Sequence, residues 1–313
     1  MIVSIEKAIE LLKSKHVVAV PSETVFGLAA SIHFPEAIKK IFEIKGRPSK
    51  NPLIVHFSSL EHALEYVDID QSLIPHLEKF WPGPLTLVAP LKKNVDPTIT
   101  ANLSTLAVRV PNHPVFLELI REVGPLAAPS ANRSGFPSAT RSWHIEFDYG
   151  CSVPIVEGVE PEHGVESTIL IQKEGYLSLG RLGATPIEPL KPFFKIVEST
   201  ENPTAPQCPG QMFRHYAPKC KLTTTLSAEV EAIVGFTDVD YPFSKPLYPL
   251  GSVHDPKQIA HQLFETLRLL DHDHIGLAYV DTNFPFHGLY LTIHERLSRA
   301  IQETFNQNRE LYV

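Results

Sequence analysis

The 313 residues are 43% hydrophobic and 20% charged, with a formal net charge of −7, the profile of a soluble globular protein with a core of its own and not of a protein that coats DNA by neutralising phosphates. The three cysteines, Cys151, Cys208 and Cys220, form no CxxC pair, and no apolar run reaches the ~18 residues that cross a bilayer. A disulfide framework, a structural zinc site and a membrane span are therefore not expected, and a cytoplasmic setting is.

Ile5, Ala8, Ile9 and Leu12 recur at helical spacing behind Ser4, which predicts a capped helix within Met1–Lys15; its charges, Glu6, Lys7, Glu10 and Lys13, rule out a signal-peptide core. His16–Val20 predicts a strand ended by Pro21. A helix is predicted over Pro35–Lys45, a strand over Pro52–Phe57, and helices over His62–Val67 and Leu73–Phe80. Strands at Leu85–Pro90 and Leu106–Val110, a helix at Val115–Val123, and strands at Leu126–Pro129, Val153–Glu157 and Thr168–Gln172 follow. Several strands succeed one another without a helix, so the expected class is α/β with an open, twisted, mixed sheet. Seven prolines between Pro186 and Pro218 read as a linker. Beyond it, a strand at Ala232–Phe236, a helix at Asp255–Leu270 with Pro256 in its first turn, a strand at Ile275–Val280 and a helix at Leu289–Gln302 describe a smaller βαβ-type domain. The expected division is a first domain over 1–190, a Pro-rich linker over 191–219 and a C-terminal domain over 220–313. That last part holds 7 Lys+Arg against 12 Asp+Glu, leaving 21 against 23 before it, so an anion site belongs in the first two-thirds.

Chemistry-bearing residues cluster at the ends of predicted strands. Pro21-Ser22-Glu23-Thr24-Val25-Phe26-Gly27-Leu28 reads equally as a capped turn and as hydroxyls lining a crevice. Lys45-Gly46-Arg47-Pro48 and Asn51–His56 present two cations on a Pro-restrained loop, suited to phosphate or simply to a helix C-terminus. Trp81-Pro82-Gly83-Pro84-Leu85-Thr86 is a rigid entry to a strand. Thr105, Ala107 and Arg109 share a strand face, and Arg109 follows small or apolar residues, which suits a buried carboxylate. Ala128-Pro129-Ser130-Ala131-Asn132-Arg133-Ser134-Gly135 is a small, polar loop after a strand. Glu166-Ser167-Thr168 precedes another strand, and Gly180-Arg181-Leu182-Gly183 sets an arginine at a Gly-flanked turn.

In this order the strings PSETVFGL, KGRP with NPLIVH, FWPGPLT, LAVRVP, APSAN, EST and GRLG, spanning Pro21 to Gly183, resemble the YrdC-like threonylcarbamoyl-AMP synthase family. The two-part layout looks like its long form, and Cys208–Pro218 resembles the linker motif before the extra domain. Ser22 and Phe26 stand where the family usually has Thr and Tyr; the hydroxyl survives at Ser22 and the phenol is lost at Phe26.

The resemblance implies synthesis of threonylcarbamoyl-AMP and pyrophosphate from L-threonine, bicarbonate and ATP, the product serving threonylcarbamoyladenosine formation on tRNA. It assigns threonine to Thr24, His56, Arg109, Ser130 and Ser167. It assigns ATP or the adenylate to Arg47, Asn51, Thr105, Asn132, Thr140, Arg181 and Tyr216, with Lys45 and Arg47 as the catalytic cations. Magnesium is expected to arrive on the triphosphate, with no protein-held metal site, and the expected partner is the threonylcarbamoyl-transfer machinery. Arg214, His215 and Tyr216 are expected to fold back over the nucleotide. A rival reading makes Lys45, Arg47, Lys50, Arg133, Arg141 and Arg181 a basic groove with weak RNA binding. Another would put a metal on His261, His272 and His274, whose spacing fits a solvated helix end better.

Overall fold

The computed structural model describes residues 1–197, 208, 215–242 and 244–310, with side chains through Ile301. The first part runs β1 (Ile2–Val3), α1 (Ile5–Lys13), β2 (Val18–Val20), β3 (Gly27–Ser31), α2 (Pro35–Lys45), β4 (Ile54–His56), α3 (Leu60–Leu64), α4 (Ile74–Leu77), β5 (Leu85–Pro90), α5 (Pro97–Thr100), β6 (Thr105–Arg109), α6 (Pro114–Val123), β7 (Leu126–Ala127), α7 (Ser142–Tyr149), β8 (Ile155–Val156), β9 (Thr168–Lys173), β10 (Tyr176–Arg181) and β11 (Ile196–Val197). These strands build one eleven-stranded sheet in the order β1-β8-β2-β3-β7-β4-β6-β5-β9-β10-β11. It is mixed, as expected: β4 and β6 run parallel, β5 and β6 antiparallel, β5 and β9 parallel.

Strand alternation divides the central residues between two jobs. Val55, Leu85, Leu87, Val108 and Leu170 point into the main core beneath the helices. Their neighbours Ile54, Val88, Ala107, Ile169 and Ile171 form a separate apolar cluster on the opposite face, capped by Cys208. On this same face His56 stacks on Phe116 of α6 at 4.8 Å, and Ile54 and His56 contribute to the cleft described below.

Local chemistry explains most element ends. Ser4 Oγ accepts from the Lys7 amide at the start of α1. α2 begins on Pro35 and stops at Gly46, whose φ of 60° is the left-handed conformation that favours glycine. The helix expected at His62 starts at Leu60, because Ser59 caps it. Among the elements that differ from expectation, three have a clear physical reason. β3 was not legible as a strand, since Gly-Leu-Ala-Ala-Ser lacks β-branched residues; antiparallel pairing to β2 and β7 makes it one, with all five residues buried. α7 has no apolar stripe, and its start is held by His144 Nδ1, which accepts from the Thr140 and Arg141 amides. Gly180-Arg181 is not a turn but the bulged end of β10.

The Pro-rich stretch enters the sheet before it leaves it. Leu190 and Phe194 lie in the main core, and β11 pairs parallel to β10 at Ile196–Val197. Beyond it, β12 (Lys221–Thr223), β13 (Ala232–Gly235), β14 (Leu247–Pro249), α8 (Pro256–His272), β15 (Leu277–Val280) and α9 (Leu289–Glu310) form a four-stranded parallel sheet, β12-β15-β13-β14, with its helices. Asp255 caps α8 and Pro256 opens it, as the sequence predicts. This smaller core also absorbs Val165 and Tyr216 from outside the domain.

Candidate active site

A cleft of about 600 Å3, open solvent included, lies against the face of the large sheet that carries Ile54 and His56. Thr24, Arg47, His56, Arg109, Ser130, Asn132, Ser167, Arg181 and Tyr216, all expected from sequence, line it. Its convergent polar groups are those of a small-molecule site.

At one end, parallel pairing sets His56 of β4 beside Arg109 of β6. Arg109, only 3% exposed, is fixed on several sides. Its Nε donates to Gly83 O at 3.1 Å, and its Nη1 donates to Thr24 Oγ1 at 3.1 Å. Thr24 Oγ1 lies 2.9 Å from Ser22 Oγ, which donates to Val25 O at 2.6 Å, so the proton order along this hydroxyl chain is set. Ser22 thus keeps a role through its hydroxyl. Phe26 is buried in the main core, where a ring suffices. Arg109 Nη2 pairs with Glu23 Oε1 at 2.7 Å. Burial alone would raise the Glu23 carboxyl, but the Arg109 charge and the Asn112 amide outweigh it and hold it below its ordinary value. Glu23 serves the site through its pairing with Arg109, a role the sequence spacing alone did not single out. Its signal was an acid sharing a motif with hydroxyls, upstream of an arginine in an apolar strand.

Ser167 forms the next wall. Thr86 Oγ1 lies 2.8 Å from Ser167 Oγ, and Arg181 donates twice to Ser167 O, at 3.2 and 2.8 Å. A Cβ on Gly183 would sit 2.3 Å from the Ser167 carbonyl carbon, so only glycine lets the two segments approach. Glu166, also in the lining, accepts from Ser138 Oγ.

At the other end, Arg47 is braced by donation to Pro52 O at 2.9 Å and Asn51 O at 3.4 Å. Burial, then the charge of Arg181, pushes its guanidinium down to about 9, still a cation at neutral pH. Lys45 is placed differently from expectation. It does not line the cleft; its Nζ donates to the carbonyls of Ser130 and Asn132 and holds their loop. Burial foremost, then Arg47, depresses its basicity well below the usual lysine value. Asn51 and Thr140 are buried behind the lining with Asn51 Oδ1 and Thr140 Oγ1 unpartnered, and Thr105 also lies outside it. Asn132 Oδ1 and His56 Nδ1 are likewise buried without partners, and both residues face the cleft.

His215 and Tyr216 of the linker complete the lining, so this part of the chain does return over the site; Arg214 lies outside the described residues. Burial, then Arg47, lowers the His215 imidazole to about 3, and burial with Arg109 keeps His56 well below its ordinary value. Both rings are neutral in the fold at pH 7. A depressed folded value gives stability that is complete above the unfolded value, about 6.5, and is lost as pH falls towards the folded one. The carboxyls of Glu23 and Glu166 start from 4.5 and are lowered, so the window from about 6.5 to 4.5 belongs to buried imidazoles. The melting temperature is therefore expected to fall as pH drops through this window, and His215→Asn is expected to flatten the slope. Equal slopes in a thermal-melt series on both proteins would refute the assignment.

The rival readings lose their geometry. Lys45 and Arg181 are buried, Arg133 turns to the Asp148 carbonyl, and Arg141 is paired with Glu265 at 2.8 Å, so no continuous basic groove forms. Among the described residues no group of three His, Cys, Asp or Glu side chains is placed to hold a metal; His261 instead bridges Glu162 O and Arg141.

Residues 10–183 match a family model named for Sua5, YciO and YrdC and described as telomere recombination; residues 185–301 match one described as the C-terminal domain of threonylcarbamoyl-AMP synthase. The chain is 35% identical to the threonylcarbamoyl-AMP synthase of Bacillus subtilis, over 95% of this chain and 92% of the relative. It is 35% identical to that of Pyrococcus abyssi, over 92% and 91%. The crystal structure of P. abyssi Sua5 complexed with L-threonine superposes with a TM-score of 0.86 at 31% identity, covering 96% of this chain and 98% of that one. With both parts of the chain matched and the fold shared end to end, the protein belongs to the threonylcarbamoyl-AMP synthase family.

Proposed function

We infer that this chain is a nucleotidyltransferase that makes L-threonylcarbamoyladenylate from L-threonine, bicarbonate and ATP. The observation that carries the reading is a single cleft lined by three arginines, the buried Arg109 and Arg181 and the half-buried Arg47, which suit a carboxylate at Arg109 and phosphates at Arg47 and Arg181. The threonine complex of the P. abyssi relative supports the first half.

Threonine's carboxylate pairs with Arg109, its polar atoms meeting Thr24, His56, Ser130 and Ser167. Arg47, Asn132, Arg181 and Tyr216 take the nucleotide. Asn51, Thr140 and Thr105 support that end from behind, and Lys45 shapes the Ser130–Asn132 loop. The amine nitrogen attacks the carbon of bicarbonate, forming an N–C bond with loss of water, and yields a carbamate. A carbamate oxygen attacks the α-phosphorus, and the bond to the bridging oxygen breaks to release pyrophosphate. No protein nucleophile is required; the chain contributes positioning, charge and exclusion of water from a labile carbamate.

Magnesium is handled by the substrate. Among the described residues the one carboxylate lining the cleft, Glu166, is committed to Arg296, and Glu23 beside it in the motif network is committed to Arg109, so these residues do not build a protein cage for the ion. The product is an activated acyl donor, and a transferase acting on tRNA is the partner that consumes it. No helix among the described residues is long and apolar enough to cross a membrane, and the free thiols of Cys151 and Cys220 suit a reducing cytoplasm. Incubation with ATP, threonine and isotopically labelled bicarbonate is expected to give threonylcarbamoyl-AMP carrying one labelled carbon by mass spectrometry. An adenylate without the label would overturn the reading.

A further inference from the structure

The smaller domain does more than sit behind the linker. Arg296 of α9 is fully buried beneath the cleft's rear wall. Its Nε donates to Glu166 Oε2 at 3.0 Å and its Nη2 to Leu182 O at 2.8 Å, while Nη1 pairs with Glu295. The guanidinium also lies 4.7 Å from the Tyr216 ring centre, and that ring stacks on Phe264 of α8 at 5.3 Å. One cation thus touches three pieces of the wall: the segment before Ser167, the segment after Arg181, and the linker.

The contact is built in, not incidental. Val165, next to Glu166, belongs to the smaller domain's core. A Cβ on Gly164 would lie 2.4 Å from the Ala260 carbonyl oxygen, and Thr292 Oγ1 of α9 donates to Gly183 O at 2.9 Å. Glu166 in turn holds Ser138, and the adjacent Ser167 is the residue that Thr86 and Arg181 grip. Lysine would not replace Arg296, since one ammonium cannot satisfy a carboxylate, a carbonyl and a ring in fixed directions.

We propose that Arg296 is a positioning residue for the reaction. Acting through Glu166 and the Tyr216 ring, it sets the Ser138–Ser167 wall and the linker wall, so that the C-terminal domain completes the active site. The proposal rests on the function inferred above, and wild-type pyrophosphate release is therefore measured first; its absence marks failure of that reading, not of this one. The test is a double-mutant cycle in kcat/KM on the full chain with Arg296→Met, Glu166→Gln and both together. Each single change is expected to lower kcat/KM for threonine at least tenfold, and the double variant to fall within about threefold of the worse single. A parallel cycle of Glu166→Gln with Glu265→Gln tests general loosening, because Glu265 docks the same domain through Arg141 at 2.8 Å without touching Ser138 or Glu166. That cycle is expected to be multiplicative. Should Arg296→Met fail to fold, Arg296→Lys, checked by thermal melting, is expected to fold and still lose about tenfold. Multiplicative losses in the first cycle, the same coupling in both cycles, or wild-type kinetics in a folded Arg296 variant would each overturn the proposal.

Discussion

Arg109→Ala is expected to lower kcat/KM for threonine by two to three orders of magnitude. Truncating one partner of a buried, hydrogen-bonded charge pair costs about 3–5 kcal/mol, and Arg109 also carries the contacts that orient Thr24. The same change strips Glu23 of its counter-charge, so a loss of stability is expected alongside. The two effects separate in the variant Arg109→Ala with Glu23→Gln. Neutralising the orphaned carboxyl is expected to recover much of the melting temperature and none of the turnover. Recovery of turnover in that variant would mean that Arg109 acts only through stability and does not hold the substrate carboxylate.

The nucleotide end gives the second large effect. Arg47 and Arg181 are each tied along one edge to backbone carbonyls, Pro52 and Asn51 for the first and Ser167 for the second. They repel one another, which is part of why Arg47 is depressed. A triphosphate relieves that repulsion, so these arginines favour anion binding before any chemistry occurs. Loss of a hydrogen bond to a charged group costs about 1.5–3 kcal/mol, and Arg181→Ala is therefore expected to raise KM for ATP by roughly tenfold to a hundredfold, with a smaller change in KM for threonine. Steady-state kinetics with each substrate varied in turn reads the split. An equal rise in both KM values would place Arg181 in general support of the wall and not at the nucleotide.

Much of the cleft was legible because most of its motifs are strand ends, and strand ends combine restrictive chemistry with simple spacing. Arg109 stood out as a cation in an apolar alternating strand, and its burial follows from that pattern. Gly46 after a helical run marked where α2 would stop and Arg47 would emerge. What the sequence concealed was of three kinds. β3 is a strand only by partnership, since its own residues have little preference for one. Lys45 shows charge in the sequence, but only the fold reveals that its ammonium turns inward to Ser130 and Asn132. Glu166 and Arg296 are 130 positions apart, and no local spacing announces a pair that forms only when two domains meet. The Pro-rich stretch misled for a related reason: composition reported its turns, while the burial of Leu190, Phe194 and Tyr216 depends on surfaces supplied from elsewhere.

The central claim is that threonine and the nucleotide react in one cleft with no protein nucleophile. Pyrophosphate release from ATP, followed with threonine and bicarbonate omitted in turn, tests it most directly. The account predicts release with all three substrates and near-background release when either threonine or bicarbonate is left out, because the attacking carbamate needs both. Release at the full rate without threonine would contradict it.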